Sequence, residues 1–328
     1  MSFLLNFITT ALVQGTPLLF GSTGEILTEK SGNLNLGIPG IMYVGGISGV
    51  MGAFFYERSL ASPDLLNPFL AVIIPLLCAL LGAACVSLLY AFLTVTLRAN
   101  QNVTGLAITT FGVGFGNFFG GSLVKLSGGG TASISLGATS RVFKTNLAGA
   151  NPGWFGKLFL SYGFLLYVAI VMAIVVTVIL KRTRLGLHLR AVGENPATAD
   201  AAGINVTAYK YGATVIGGAI AGLGGLYYVM DYMNGIWAND GFGDRGWLAI
   251  ALVIFALWNP SYGILGSFVF GGLYVLSMML PLSRAMIELF NTFPYLVTII
   301  VLVAVSTRKR RETQPPASLG LSYFREER

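Results

Sequence analysis

Charge is what this chain has least of. Only 10% of its 328 residues are Asp, Glu, Lys or Arg, against about 25% in soluble domains, which excludes an ordinary soluble globular protein. Histidine occurs once, at His188, and cysteine twice. That scarcity leaves no His relay and no ligand-like spacing for a metal, so no metal site is expected. Cys78 and Cys85 lie in one apolar run; on a helix they are about 10 Å apart along the axis, too far for a disulfide, and read as packing residues. No phosphate-cradling GxxxxGK[ST] is present and no catalytic triad stands out, so nucleotide chemistry must reside on another chain and no cofactor is expected on this one. No basic segment precedes the first apolar run, so a first span is expected there rather than a cleaved signal peptide.

What the chain has instead is apolar length: 55% hydrophobic residues and a mean hydropathy of +0.75. The fold class expected is an all-α polytopic membrane protein. A net charge of +7 could suggest nucleic acid, but the cations sit in inter-span loops and the tail, where the positive-inside rule puts them. The partner implied is membrane lipid, not nucleic acid. Charge-free runs place spans at about 1–24, 38–56, 65–97, 99–124, 158–180 and 213–230. The run 247–283 is split at Asn259-Pro260-Ser261-Tyr262-Gly263 into a hairpin of two spans, and a last span covers about 293–307. The third run exceeds the ~20 residues a bilayer needs, so it is tilted, kinked at Pro75, or projects beyond the lipid. The count is about nine, with eight to ten tolerable. Residues 1–311 form one transmembrane domain and 312–328 a polar tail. Arg308, Lys309, Arg310 and Arg311 place the tail in the cytosol, and alternation puts the 181–210 loop there too and the N-terminus outside. The Gly/Ser/Thr-rich segment 125–157 reads as a loop outside the bilayer, although Lys125, Arg141, Lys144 and Lys157 run against that side.

Glycines recur four apart: Gly45/Gly49, Gly112/Gly116/Gly120 and Gly218/Gly222. Each set stacks on one helix face and lets a neighbour approach closely, whether as ordinary packing or as a face around a path. Uncharged polar residues lie at the break 24–40 (Asn33, Asn35) and along the fourth span (Asn102, Thr104, Thr109, Thr110, Asn117), interleaved with Phe111 and Phe115. Such groups are costly in lipid unless they meet a partner or a water-filled cavity. They suit a neutral, partly flat, hydrogen-bonding solute, and equally well bonds between helices. No span is expected to carry paired carboxylates, which makes a proton-coupled carrier less attractive.

The densest polar tract before the tail is KRTRLGLHLRAVGENPATADAAGINVTAYKY, 181–211. Asn195 is a good N-cap and Pro196 suits the first helical position; the alanines that follow favour helix, and Gly203 can end it. A compact helix on a basic loop suggests a cytosolic partner.

Three stretches carry a resemblance. TPLLFGSTGEILTEKSGNLNLGIPGIMYVGG (16–46), TRLGLHLRAVGENPATADAAGINVTAYKY (183–211) and ANDGFGDRGWLAIALVIFALWNPSYG (238–263) resemble, in order, segments of permease subunits of bacterial ABC importers of the sugar and nucleoside branch, closest to the shorter nucleoside-type permease. Pro39, often acidic in the family, and the charged Asp244-Arg245 depart from the pattern. The resemblance implies a short cytoplasmic coupling helix, about 195–203, docking on an ABC ATPase. Arg190, Glu194, Asn195, Pro196, Ala199, Asp200, Ala202, Gly203 and Ile204 are its expected contacts. It also implies a second permease in a heterodimer, an extracellular or periplasmic binding protein or lipoprotein, and ATP with Mg on the ATPase partners. A non-catalytic subunit in the bacterial plasma (inner) membrane is expected, carrying a nucleoside or, second, a simple sugar; an ATPase-independent carrier or channel is the reading from another class.

Overall fold

The charge-free runs become helices in the computed structural model, which describes residues 2–62, 65–128, 133–146, 149, 153–280, 283–308 and 314–324. Among the described residues, eight helices are long and apolar enough to cross a membrane. The first four are α1 (Ser2–Glu29), α2 (Ile38–Ser59), α3 (Pro68–Ala91) with a π-helical extension Phe92–Thr96, and α4 (Gln101–Leu126). After the short helices α5 (Gly137–Phe143) and α6 (Trp154–Phe159) come α7 (Phe164–Arg182), α8 (Arg184–Glu194) and α9 (Pro196–Ala201). Then follow α10 (Val206–Tyr227), with a π-helical end Tyr228–Tyr232, α11 (Arg245–Phe255), α12 (Pro260–Met279), α13 (Arg284–Asn291) and α14 (Phe293–Arg308). The strands described are a two-residue antiparallel pair, β1 (Ile134–Ser135) and β2 (Ile236–Trp237). The chain is an all-α, multi-pass membrane protein.

The difference from nine full spans lies in α11. It is too short to cross alone, yet it starts beside Tyr274 of the upper part of α12, through Arg245. It ends where the Trp258 indole N–H donates to a Glu29 carboxylate oxygen at the far end of α1. The ninth passage is therefore made by α11 together with the non-helical segment 233–244. As expected, the turn follows at Asn259, whose side chain accepts from Ser261 N at 3.3 Å and caps α12.

Glycine sets the packing of the centre. A Cβ on Gly45 would collide with the Gly222 backbone, one on Gly112 with Gly40, one on Gly116 with the Tyr43 ring, and one on Gly218 with Ser87. Gly49 faces Leu226, Gly120 faces Trp237, and Gly222 faces Ala83. So α2 and α10 lie back to back, with α3 and α4 against them. The 125–157 segment is more than a loop: α5 is tied down by Ser140 Oγ to Met230 O (2.7 Å) and by Thr139 N to a Glu57 carboxylate oxygen (2.8 Å). Lys309, Arg310 and Arg311 lie outside the described residues.

Candidate functional site

Two regions hold the residues singled out by the sequence. The first is the break between α1 and α2. None of residues 30–37 is exposed, and several of their polar groups bond inward, while Asn33 Oδ1 and Asn35 Nδ2 are buried without a hydrogen-bond partner. Asn33 Nδ2 donates to Thr94 Oγ1 (3.3 Å) and Thr214 Oγ1 (3.0 Å). Leu34 N donates to Gln101 Oε1 (2.7 Å), and the Tyr90 hydroxyl donates to Leu34 O. Thr109 Oγ1 donates to Leu36 O at 2.7 Å, and the Asn35 side chain accepts from Gly37 N at 2.9 Å. One short segment thus gathers α3, α4 and α10; Asn33 and Thr109 bond it to other helices, while the Asn35 side chain bonds only within the turn. Thr104 is buried beside them.

The break starts at residue 30, not at residue 24 as the sequence suggests. Helix α1 continues to Glu29, so Glu25 and Glu29 sit one turn apart on a spanning helix, both buried. The expectation that no span carries paired carboxylates is overturned. The two carboxyl groups are accommodated because protein, not lipid, surrounds them: Glu25 Oε1 accepts from Asn35 N at 3.0 Å, and Glu29 from the Trp258 indole. Their i, i+4 spacing between apolar residues was the available signal.

Helix α4 has two faces. Inward, Asn117 Oδ1 accepts from the Tyr43 hydroxyl (2.7 Å), and its Nδ2 donates to Asp240 Oδ1 (2.9 Å), fastening the segment 233–244 between α2 and α4. Outward lie Asn102, Thr110 and Phe111, the last 49% exposed. Thr110 Oγ1 bonds back to Leu106 O at 3.1 Å, and nothing faces Gly114 within 4 Å. Phe115 is half-buried and stacks between Phe111 and Phe119, with centroids 5.8 and 4.5 Å away. Arg245, which sequence reasoning noted only as a departure, is buried among Tyr228, Tyr232 and Tyr274, 4.7–5.2 Å from their ring centres.

The second region is the hairpin of α8 and α9. Thr183 caps α8, accepting from Gly186 N at 3.1 Å; Asn195 caps α9, accepting from Thr198 N at 3.0 Å, with Pro196 next in the chain. Gly203 follows with φ +81°, a conformation that glycine adopts without strain. The helix α8 was not anticipated; its residues read as a basic loop. Arg190, Glu194, Asn195, Ala202 and Gly203 are exposed, and Pro196, Asp200 and Ile204 half-buried. Ala199 is turned inward, packed with Val192 and Val206 in a small core of the hairpin's own. A Cβ on Gly193 would strike the Lys30 carbonyl, so the hairpin backbone rests directly on the end of α1.

The tail returns to the same place. Ser318 N and Oγ both donate to Gly193 O (3.0 and 2.5 Å), Gly320 N donates to Gly32 O at 3.3 Å, and the Tyr323 hydroxyl donates to Asp200 Oδ2 at 2.8 Å. Arg98 lies over the Phe324 ring, 4.6 Å from its centre. The sequence showed only a polar end.

Comparison with known proteins gives this architecture a family. The model for the branched-chain amino acid transport system / permease component matches residues 7–302. The chain is similar to the "Putative glucose ABC transporter permease protein TsgC13" of Haloferax volcanii (30% identical, 99% of each chain). It is also similar to the nucleoside ABC transporter permease protein NupC of Lactococcus lactis (32% identical, 90% of each) and to the guanosine ABC transporter permease protein NupQ of Bacillus subtilis (30% identical, over 98% of this chain and 97% of the other). With nearly its whole length matched, the chain belongs to the permease-component family of ABC transporters, the subunits that span the membrane.

Proposed function

We propose that this permease imports a nucleoside, with the α8–α9 hairpin facing the cytosol as the docking element for an ATPase subunit. The observation that carries the docking role is the backbone contact of Gly193 with Lys30. A push on the hairpin reaches the end of α1 without a flexible side chain between, and from there the segment that holds α3, α4 and α10. ATP and Mg reside on the ATPases, and closure of those subunits biases a bundle with two arrangements. This chain contributes no catalytic group. Its contacts on the ATPase are the exposed Arg190, Glu194, Asn195, Ala202 and Gly203, with Pro196, Asp200 and Ile204 at the edge.

A second permease completes the path. The outward face of α4, with Asn102, Thr110, Phe111 and the open surface at Gly114, suits a partner helix and a hydrogen-bonding solute better than lipid. A binding protein or lipoprotein hands over the solute at the opposite face, where α5 and the segment 233–244 lie. The nucleoside assignment is supported by the nucleoside and guanosine permeases among the relatives, and the glucose-named relative favours a simple sugar as the second reading.

Ala202→Arg tests docking. The exposed alanine tolerates the change, so the permease still inserts but loses the ATPase on co-purification. Ala199 is unsuitable, because its inward position would unfold the hairpin itself. An ATPase that stays bound to the Ala202→Arg permease refutes the docking surface. For the solute, ATP-dependent uptake of a labelled nucleoside into vesicles holding the whole complex should be competed by other nucleosides and not by glucose. Competition by glucose alone transfers the assignment to the sugar, and uptake that survives removal of the ATPase and ATP refutes the ABC mechanism.

A further inference from the structure

A cavity of about 460 Å³ opens on the hairpin face. Its walls are Thr94, Val95 and Arg98 after α3, Asp200 and residues 203–205, the first turn of α10, and Tyr323 of the tail. Lys210 lines it. That side chain is 3% exposed, and among the described residues its ammonium has no hydrogen bond or ion pair. The side chain is buried and its ammonium reaches the cavity, where it is open to an anion.

The surroundings favour an anion. Helix α10 begins at the cavity, and Asn205 Oδ1 caps only the Ala208 amide, at 3.0 Å. The amides of Val206 and Thr207 have no acceptor within a helix at that position, and a helix of 22 residues adds the positive end of its dipole there. Arg98, held against Phe324, adds a second cation at the rim. The rim also carries one carboxylate, Asp200, which accepts from the Tyr323 hydroxyl. Two cations and a helix N-terminus outweigh it.

We propose that this cavity is a binding site for a phosphate-bearing anion, held by Lys210 and the first turn of α10 with Arg98 at the entrance. The volume falls in the range of small-molecule sites, about 300–1,000 Å³, so a phosphate ester fits as well as phosphate itself. The ester can come from two sources, a free phosphorylated solute or the headgroup of an anionic lipid, since the cavity lies at the end of spanning helices. Seated there, the anion ties the start of α10 to the end of α3. The inference needs neither ATPase docking nor the identity of the carried solute.

The test uses the full-length permease alone in phosphatidylcholine nanodiscs. Radiolabelled inorganic phosphate should bind saturably and raise the melting temperature, with Lys210→Gln weakening binding about tenfold or more. Lys210→Arg should keep it, and Lys181→Gln, an exposed lysine of the same face, should leave it unchanged. If phosphate is silent but phosphatidylglycerol in the nanodisc raises the melting temperature of the native chain and not of Lys210→Gln, the lipid is the source and the site stands. If Lys210→Gln does not fold, the exposed Arg98→Gln decides, with a several-fold loss expected. Failure of both ligands to bind the native chain, or equal binding by Lys210→Gln or, in its place, Arg98→Gln, overturns the proposal and leaves a merely hydrated amine.

Discussion

Helices α14 and α4 both turn much of their surface outward, and they do so with different residues. In the last apolar stretch of the bundle, containing α14, 11% of residues are buried, and the outer side shows Leu296, Ile299, Ile300, Leu302 and Val303. Helix α4 has 33% buried, and its outer side mixes Asn102, Thr110 and Gly114 with Val103, Leu106 and Phe111. Lipid alone explains the first surface. It does not explain the second, because an amide, a hydroxyl and a bare glycine gain nothing from hydrocarbon. Against both stands α10, with 83% of its stretch buried, where glycine is the device for closeness. Exposure in a membrane protein is therefore of at least two kinds, and composition separates them.

That comparison can be broken in four places. Gly222→Leu should have the largest effect, since its side chain would be forced into Ala83 and the neighbouring backbone of α3. Overpacking costs about 3 kcal/mol, and the expected outcome is little folded protein by size-exclusion profile. Next, Gly114→Leu, which meets open space in the single chain, should leave the isolated permease folded but abolish co-purification of its permease partner. An intact heterodimer would make the α4 face an ordinary lipid surface. Asn33→Leu removes two hydrogen bonds, those to the Thr94 and Thr214 hydroxyls. A loss of about 1–3 kcal/mol should appear as a lower melting temperature, larger than for Asn102→Leu. The smallest change is expected for Ile300→Ala, where lipid surrounds the residue in folded and membrane-inserted states alike. Its stability should stay within about 0.5 kcal/mol, and a larger shift would reveal a protein neighbour at α14.

These contrasts were only partly legible in the sequence. Runs without charge located the long helices, because the cost of burying charge in lipid is steep and local. The same rule misplaced the end of α1, since Glu25 and Glu29 are shielded by protein from other parts of the chain, Asn35 and Trp258 among them. Helix α11 was assigned a full span because its apolar run continues through the turn at Asn259; its shortness follows from segment 233–244, which does part of the crossing without being helical. At the hairpin, the Asn195 cap and the Gly203 stop are local chemistry and could be read directly. That Ala199 points inward could not, since it depends on Val192 and Val206 packing across the hairpin. Nor could the return of the tail, whose anchors are backbone groups of Gly193 and Gly32.

The break between α1 and α2 has a consequence for how the bundle moves. Three further helices are fastened to a segment of eight residues, each by a separate hydrogen bond, and the tail and the hairpin bear on its near end. Parts pinned to one pivot do not have independent strokes. If that pivot shifts, α3, α4 and α10 travel with it as one lever, so the permease works as a machine with few joints. Its stroke is then set by how far eight residues can slide, rather than by how far any single helix can bend.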